Sequence, residues 1–229
     1  MLVAAEKREF GGFRRLGRFA PLGWPLDCSW AAEFNGRRFL LVANGAGPRL
    51  AGEALDVTRE RAAIDTVIST GFCGALNPSL AAGEIFVASA VCSADGTDRY
   101  LARTPRVSRR HAVGTLVSGN RVVQSRQEKR RLRECGGDAV DMEAIALAAR
   151  AAEWGLPFYC IRAVTDTAEE SFRCDLNAAR RTDGRFSHAR LLLGALRRPT
   201  ERLPELWWLR RRAGEAARAL GEFLADCRF

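Results

Sequence analysis

Two carboxylates occupy positions from which proton chemistry can be done. Asp141-Met142-Glu143 opens a segment in which Ile145, Leu147, Ala148, Ala151 and Ala152 recur with helical spacing. Phe158-Tyr159-Cys160-Ile161-Arg162-Ala163-Val164 is a short apolar run of the kind that forms a buried strand, and Thr165-Asp166 ends it. Glu143 is therefore expected near a helix start and Asp166 at a strand end. A partly buried carboxyl holds its proton more tightly, which suits it to protonate a departing group, and an ionised one stabilises a developing cation. Taken singly, each also has a plain structural use: a Glu near a helix start complements the helix dipole, and an Asp after a strand caps the next element.

The elements that would position these groups follow from pattern. Residues 2–5 read as a first strand, and residues 28–34 and 38–43 as a hairpin around Asn35-Gly36, a type I′ turn signal. Residues 48–63 have helical spacing through Leu50, Ala54, Val57 and Ala62, and residues 66–69 lead as a strand into a loop carrying Gly71 and Gly74. Strands are expected at 85–91 and 114–118. A charged helix is expected at 124–134, where Lys129-Arg130-Arg131 between Glu128 and Glu134 has the pattern of a solvated face. This alternation predicts an α/β fold, a three-layer α/β/α domain around a central mixed sheet. It is expected to be a single domain over residues 1–229, with 183–229 a helical C-terminal extension: a helix after Asp183-Gly184 over 186–196, a break at 197–200, and a long helix over 206–227.

Composition narrows the function. A length of 229 residues with 47% hydrophobic content suits one domain with a sizeable core. The N-terminal apolar run is too short for a signal peptide and no segment is apolar enough to span a bilayer, so a cytoplasmic location is expected. Seven cysteines without a Cys-x-x-Cys pair argue against a disulfide framework and a zinc site, and are expected as buried thiols. His111 and His188 are the only histidines, so no metal site is expected, and no Gly-x-Ser-x-Gly supports a serine triad. The net charge of +9 is carried almost wholly by arginine, Lys7 and Lys129 being the only lysines, and the basic runs are interrupted by acids. No nucleic-acid partner is expected from it.

The stretch Ala139-Val140-Asp141-Met142-Glu143-Ala144, the Thr165-Asp166 strand end, Thr70-Gly71-Phe72-Cys73-Gly74-Ala75-Leu76 and Asn44-Gly45-Ala46-Gly47 together resemble the nucleoside phosphorylase and nucleosidase superfamily. The resemblance implies cleavage of a purine N-glycosidic bond, with adenine as the base released. It implies that Asp166 protonates the purine at N7, and that Glu143 grips the ribose hydroxyls and favours an oxocarbenium-like transition state, with Met142 packed on the sugar. No cofactor is implied, only water or inorganic phosphate as co-substrate, and a homodimer or higher homo-oligomer is expected.

What attacks the sugar is left open. Family hydrolases carry a Glu shortly after the first strand as the base that activates water; Glu9 stands at the matching position, with Glu6 as rival. Phosphorylases bind phosphate through glycine N–H groups and arginines; Gly45, Gly47 and Arg49, with Arg8, are the candidates. The Arg that some family phosphorylases place before the second glycine loop is replaced by Ser69-Thr70, which leans towards hydrolysis. In the base pocket, Val122 takes the place of the aromatic residue on which many relatives stack the purine, backbone groups at Val123 could read the adenine edge, and Phe72 either supplies a ring or fills core.

The tail from Asp183-Gly184-Arg185 through Leu196-Arg197-Arg198-Pro199 to Leu206 is similar to hopanoid-associated members of the superfamily, which implies a lipid-linked adenine nucleoside such as adenosylhopane and returns weight to phosphorolysis. On the terminal helix, Leu206, Leu209, Ala213, Ala217, Leu220 and Leu224 form one stripe, and Trp208 falls on the other side with Arg211 and Arg212. That grouping suits peripheral contact with an anionic membrane, or packing on this subunit or a neighbour.

Overall fold

The computed structural model describes residues 1–181, 183 and 185–229. The first strand β1 (Leu2–Ala4) runs into a 3-10 turn (Lys7–Phe10) and a single helical turn α1 (Gly11–Arg14), followed by the edge strand β2 (Phe19–Pro21). The hairpin forms as expected between β3 (Cys28–Phe34) and β4 (Arg37–Ala43), and Asn35 and Gly36 both have positive φ, as a type I′ turn requires. Helix α2 (Pro48–Arg59) starts at a proline, whose fixed φ suits the first helical position.

The second glycine segment is not a loop. Strand β5 (Val67–Ala75) carries Gly71 and Gly74 within it, because β5 is paired along its length with the later strand β10 (Phe158–Asp166). Between these lie β6 (Ile85–Ser93), the short β7 (Arg99–Leu101), β8 (Ala112–Ser118), α3 (Arg126–Glu134), β9 (Ala139–Asp141) and α4 (Ala144–Glu153). After β10 come α5 (His188–Leu196) and α6 (Pro199–Asp226). Arg197 and Arg198 interrupt the helices, but Pro199 begins α6 rather than ending a helix. Gly184, expected to precede α5, lies outside the described residues.

The sheet is mixed, and it curls. β10 pairs with β6 antiparallel and with β5 parallel, while β6–β8, β8–β9 and β9–β5 complete a ring of five strands. β1, β4, β3 and β2 continue from β5 as an open wing. Alternate residues feed two apolar layers: Val3, Leu40 and Val42 pack with α2 and α4, whereas Leu2, Leu41 and Ala43 pack with Phe10, Phe13 and the α6 residues Ala216, Leu220, Phe223 and Leu224. Helix α6 is thus the body of the third layer. Gly12 and Gly221 let it lie on α1: a Cβ on either would meet backbone at 2.1 Å.

Among the described residues no helix is long and apolar enough to cross a membrane. All seven cysteines are free; Cys28, Cys73, Cys160, Cys174 and Cys227 are buried, Cys92 is half-buried and Cys135 exposed.

Candidate active site

The site forms where β1, β9 and β10 end alongside the second half of β5. Glu9 sits in the 3-10 turn after β1, where its Oε2 accepts from Ala5 N at 2.9 Å and from Glu6 N at 3.3 Å. It is buried, and burial, reinforced by the charge of Glu6, raises its pKa to about 7. Glu6 itself turns to Arg8 at 2.6 Å, on the half-exposed side of the turn. Gly71 has φ +142, and a Cβ there would stand 2.8 Å from Glu9 Oε2. Its hydrogen is what lets the β5 backbone press against the Glu9 carboxylate.

Asp141 closes β9 and Glu143 is the residue at the N-cap of α4, whose first residue is Ala144. The strand and its parallel pairing with β8, where Asp141 stands opposite Ser118, claim Asp141. Glu143 Oε1 accepts from Gly47 N at 2.7 Å, which joins the first glycine loop to the carboxylate. Burial raises Glu143 to about 8, and the negative charges of Asp141 and Glu9 push the same way. Met142 is buried beside it.

Beneath these carboxylates lies Arg162, in the middle of the apolar run of β10 and only 2% exposed. Its Nε donates to Asp141 Oδ2 at 3.2 Å and its Nη2 to Ser69 Oγ at 2.6 Å. Its charge offsets part of the cost of collecting Glu9, Asp141 and Glu143 in one place.

Asp166, at the end of β10, is buried against β5, with Gly74 making room: a Cβ there would be 2.8 Å from Asp166 Oδ2. Thr165 Oγ1 donates to Oδ1 at 2.8 Å, and Lys129 Nζ donates to Oδ2 at 2.6 Å. Burial raises the Asp166 pKa, while the Lys129 ammonium opposes the rise. Lys129 corrects the sequence reading: it is not on a solvated face but fully buried, because α3 turns that side onto the strand end.

The remaining candidates are spread around this centre. Val122 N donates to Asn177 Oδ1 and Val122 O accepts from Asn177 Nδ2, both at 2.9 Å. Val123 packs on a small cluster of Leu76, Val117 and Val140. Phe72 packs against the core on the α6 side. Gly45 and Gly47 have φ near +105, a conformation that favours glycine, and shape the loop before α2. Arg49 is directed away, paired with Glu53 and donating to Asp183 O at 2.7 Å, while Arg180 reaches Ala46 O at 3.0 Å and also bonds Asn120 O. Arg180 thereby bridges the base-side loop and the glycine loop.

The grouping expected of Trp208, Arg211 and Arg212 divides. Arg212 stacks on Trp208 at 3.6 Å and donates to Thr165 O and Glu170, so this pair faces the strand end beside Asp166. Arg211 binds Glu215, and Trp207 is the exposed ring.

Comparison with known proteins agrees with this architecture. The sequence profile described as the Phosphorylase superfamily matches residues 30–112 and 100–197. The chain belongs to that superfamily. Its relatives include a 5'-methylthioadenosine/S-adenosylhomocysteine nucleosidase of Staphylococcus epidermidis, 26% identical over 166 residues, covering 61% of this chain and 73% of the relative. The same-named protein of Anoxybacillus flavithermus is 27% identical over 171 residues, 62% of this chain and 74% of that one. Among solved structures, the nucleosidase of Neisseria meningitidis in complex with methylthio-immucillin-A has TM-score 0.70 at 21% identity, covering 98% of this chain and 97% of that one. The futalosine hydrolase of Helicobacter pylori has TM-score 0.72 at 15% identity, covering 98% and 94%. The chain thus shares its fold with these proteins over nearly its whole length.

Proposed function

We propose that this chain hydrolyses the N-glycosidic bond of an adenine nucleoside. The observation that carries this reading is the carboxylate set: buried Glu9 in the turn after β1, half-buried Glu143 at the start of α4, and buried Asp166 at the end of β10. Glu143 holds the ribose hydroxyls and, once ionised, its charge stabilises the sugar cation; Asp166 protonates the base at N7 as the C1′–N9 bond breaks; Glu9 takes a proton from the water that attacks C1′. A base with a pKa of about 7 is well matched to that last step near neutral pH. The names of the relatives support adenine as the base.

Electrostatics favours water over phosphate. Gly47 N is engaged by Glu143, Arg49 by Glu53 and Arg162 by Asp141, so these donors of the pocket already have acceptors where a phosphate dianion would need them. The test is to incubate the protein with adenosine, methylthioadenosine, adenosylhomocysteine and a hopane-linked adenosine and to measure free adenine. Release from none of the four would overturn the reading.

A lipid-linked substrate is the finer proposal, and an exposed apolar surface supports it. Helix α5 presents Leu192, Leu193 and Leu196, and α6 presents Leu203 and Trp207, with Arg190 and Arg211 exposed on the same helices and Arg197 and Arg198 exposed between them. Apolar side chains among arginines suit the headgroup region of an anionic bilayer. This moves the proposed membrane contact from Trp208 and Arg212 to α5 and Trp207.

A further inference from the structure

Lys129 Nζ donates to two oxygens, Asp166 Oδ2 and Thr167 O, each at 2.6 Å, and lies 5.7 Å from the centroid of the Phe172 ring. The lysine side chain is fully buried. Sealing an ammonium and a carboxylate from water costs about as much as their attraction returns, and apolar residues of similar volume would often serve stability as well. Packing alone therefore gives no reason to set a lysine against the carboxylate that ends β10.

We propose that Lys129 is the positioning residue of the acid, and that it and Asp166 share one mobile proton destined for the leaving base. The proposal rests on Asp166 being the acid. In the resting pair Lys129 is an ammonium and Asp166 a carboxylate. During base departure one Nζ–H bond breaks as its proton crosses to the carboxylate, and the carboxyl O–H then breaks as a proton passes to purine N7. The electron pair of the C1′–N9 bond stays with the base. Lys129 is left a neutral amine and takes a proton from solvent after adenine has left. A lone carboxyl keeps a proton only up to its own pKa, whereas a Lys–Asp pair keeps its shared proton further into the alkaline range.

The charged groups around the pair are themselves matched. Arg212, from α6, is held by Glu170 at 2.9 Å and by Thr165 O. On α3, Arg126 and Arg130 lie 3.9 and 3.8 Å from Glu169. On β5 the Cys73 thiol is buried and held well above its usual pKa by that burial, so it faces Asp166 uncharged. Thr165 donates to the other Asp166 oxygen.

The test is the pH dependence of adenine release from adenosine by wild type, Lys129→Gln and Asp166→Asn, each run also with p-nitrophenyl β-ribofuranoside, whose leaving group needs no proton. Lys129→Met, which keeps the unbranched stem, serves where the buried Gln amide unfolds the chain. The alkaline limb of adenine release is expected to move down by about one pH unit or more in Lys129→Gln, with a loss of about tenfold at pH 8.5, while nitrophenol release changes by less than about threefold. An unmoved limb, or equal losses on both substrates in a folded variant, overturns the proposal. Normal adenine release by Asp166→Asn would instead overturn the acid assignment beneath it.

Discussion

Gly47 N donates to Glu143 Oε1 at 2.7 Å, a bond between two residues 96 positions apart in the chain. It fixes the carboxylate proposed to hold the ribose, and it depends on a backbone shape: Gly47 has φ +104, and a Cβ there would stand 2.2 Å from Arg180 Nη2. Glu143→Gln is expected to reduce base release by about a hundredfold or more with the fold intact, since charge stabilisation of the transition state is lost. Gly47→Ala is expected to weaken substrate binding and to cost about 1–3 kcal/mol from its strained φ. Steady-state kinetics and thermal melts of both variants check this.

Asp166→Asn should lower adenine release by about a hundredfold or more, the scale of losing a general acid. Gly74→Ala should imitate it in part, because the new methyl would crowd Asp166 Oδ2. Near-normal turnover in folded Asp166→Asn would remove Asp166 from the reaction.

The raised pKa of Glu9 has a consequence for stability with a definite sign. Between its ordinary value near 4.5 and about 7, the folded protein holds a proton on Glu9 that the unfolded chain has released. Unfolding free energy therefore falls as pH rises through that interval. Glu9→Gln, which keeps the shape without the charge, is expected to melt higher than wild type at pH 8 and to flatten the fall in Tm between pH 5 and 8, while losing hydrolysis. The same change of Tm across this interval in wild type and Glu9→Gln would contradict the burial of an acid there.

Membrane contact through α5 and Trp207 predicts binding to anionic vesicles at low salt, weakened by high salt and by Leu193→Asp or Trp207→Ala. Adenosine cleavage in solution should be unchanged in these variants. Co-sedimentation with phosphatidylglycerol vesicles is the measurement; no binding at low salt would remove the physical support for a lipid-linked substrate.

Much of this arrangement was readable from local pattern. The Asn35-Gly36 turn, the apolar run ending at Asp166 and the Met142-Glu143 pair depend on neighbours in sequence, and they lie where their spacing implied. What local pattern could not carry was pairing between distant segments. β5 extends through Gly71 and Gly74 because β10 lies beside it, and Lys129 is buried because a carboxylate 37 residues later receives it. Arg162 did leave a signal, since a charge within a buried strand needs a partner, but nothing near it in sequence named Asp141 and Ser69. Asn177 on Val122 left none, because a side-chain amide bonding a loop backbone has no sequence period.

Product analysis in phosphate-free buffer distinguishes hydrolysis on the Glu9, Glu143 and Asp166 set from phosphorolysis. Adenine and a free reducing sugar are expected in equal amounts without added phosphate, with loss of both in Glu9→Gln. Formation of a sugar 1-phosphate, with turnover that requires phosphate and is indifferent to Glu9→Gln, would contradict hydrolysis.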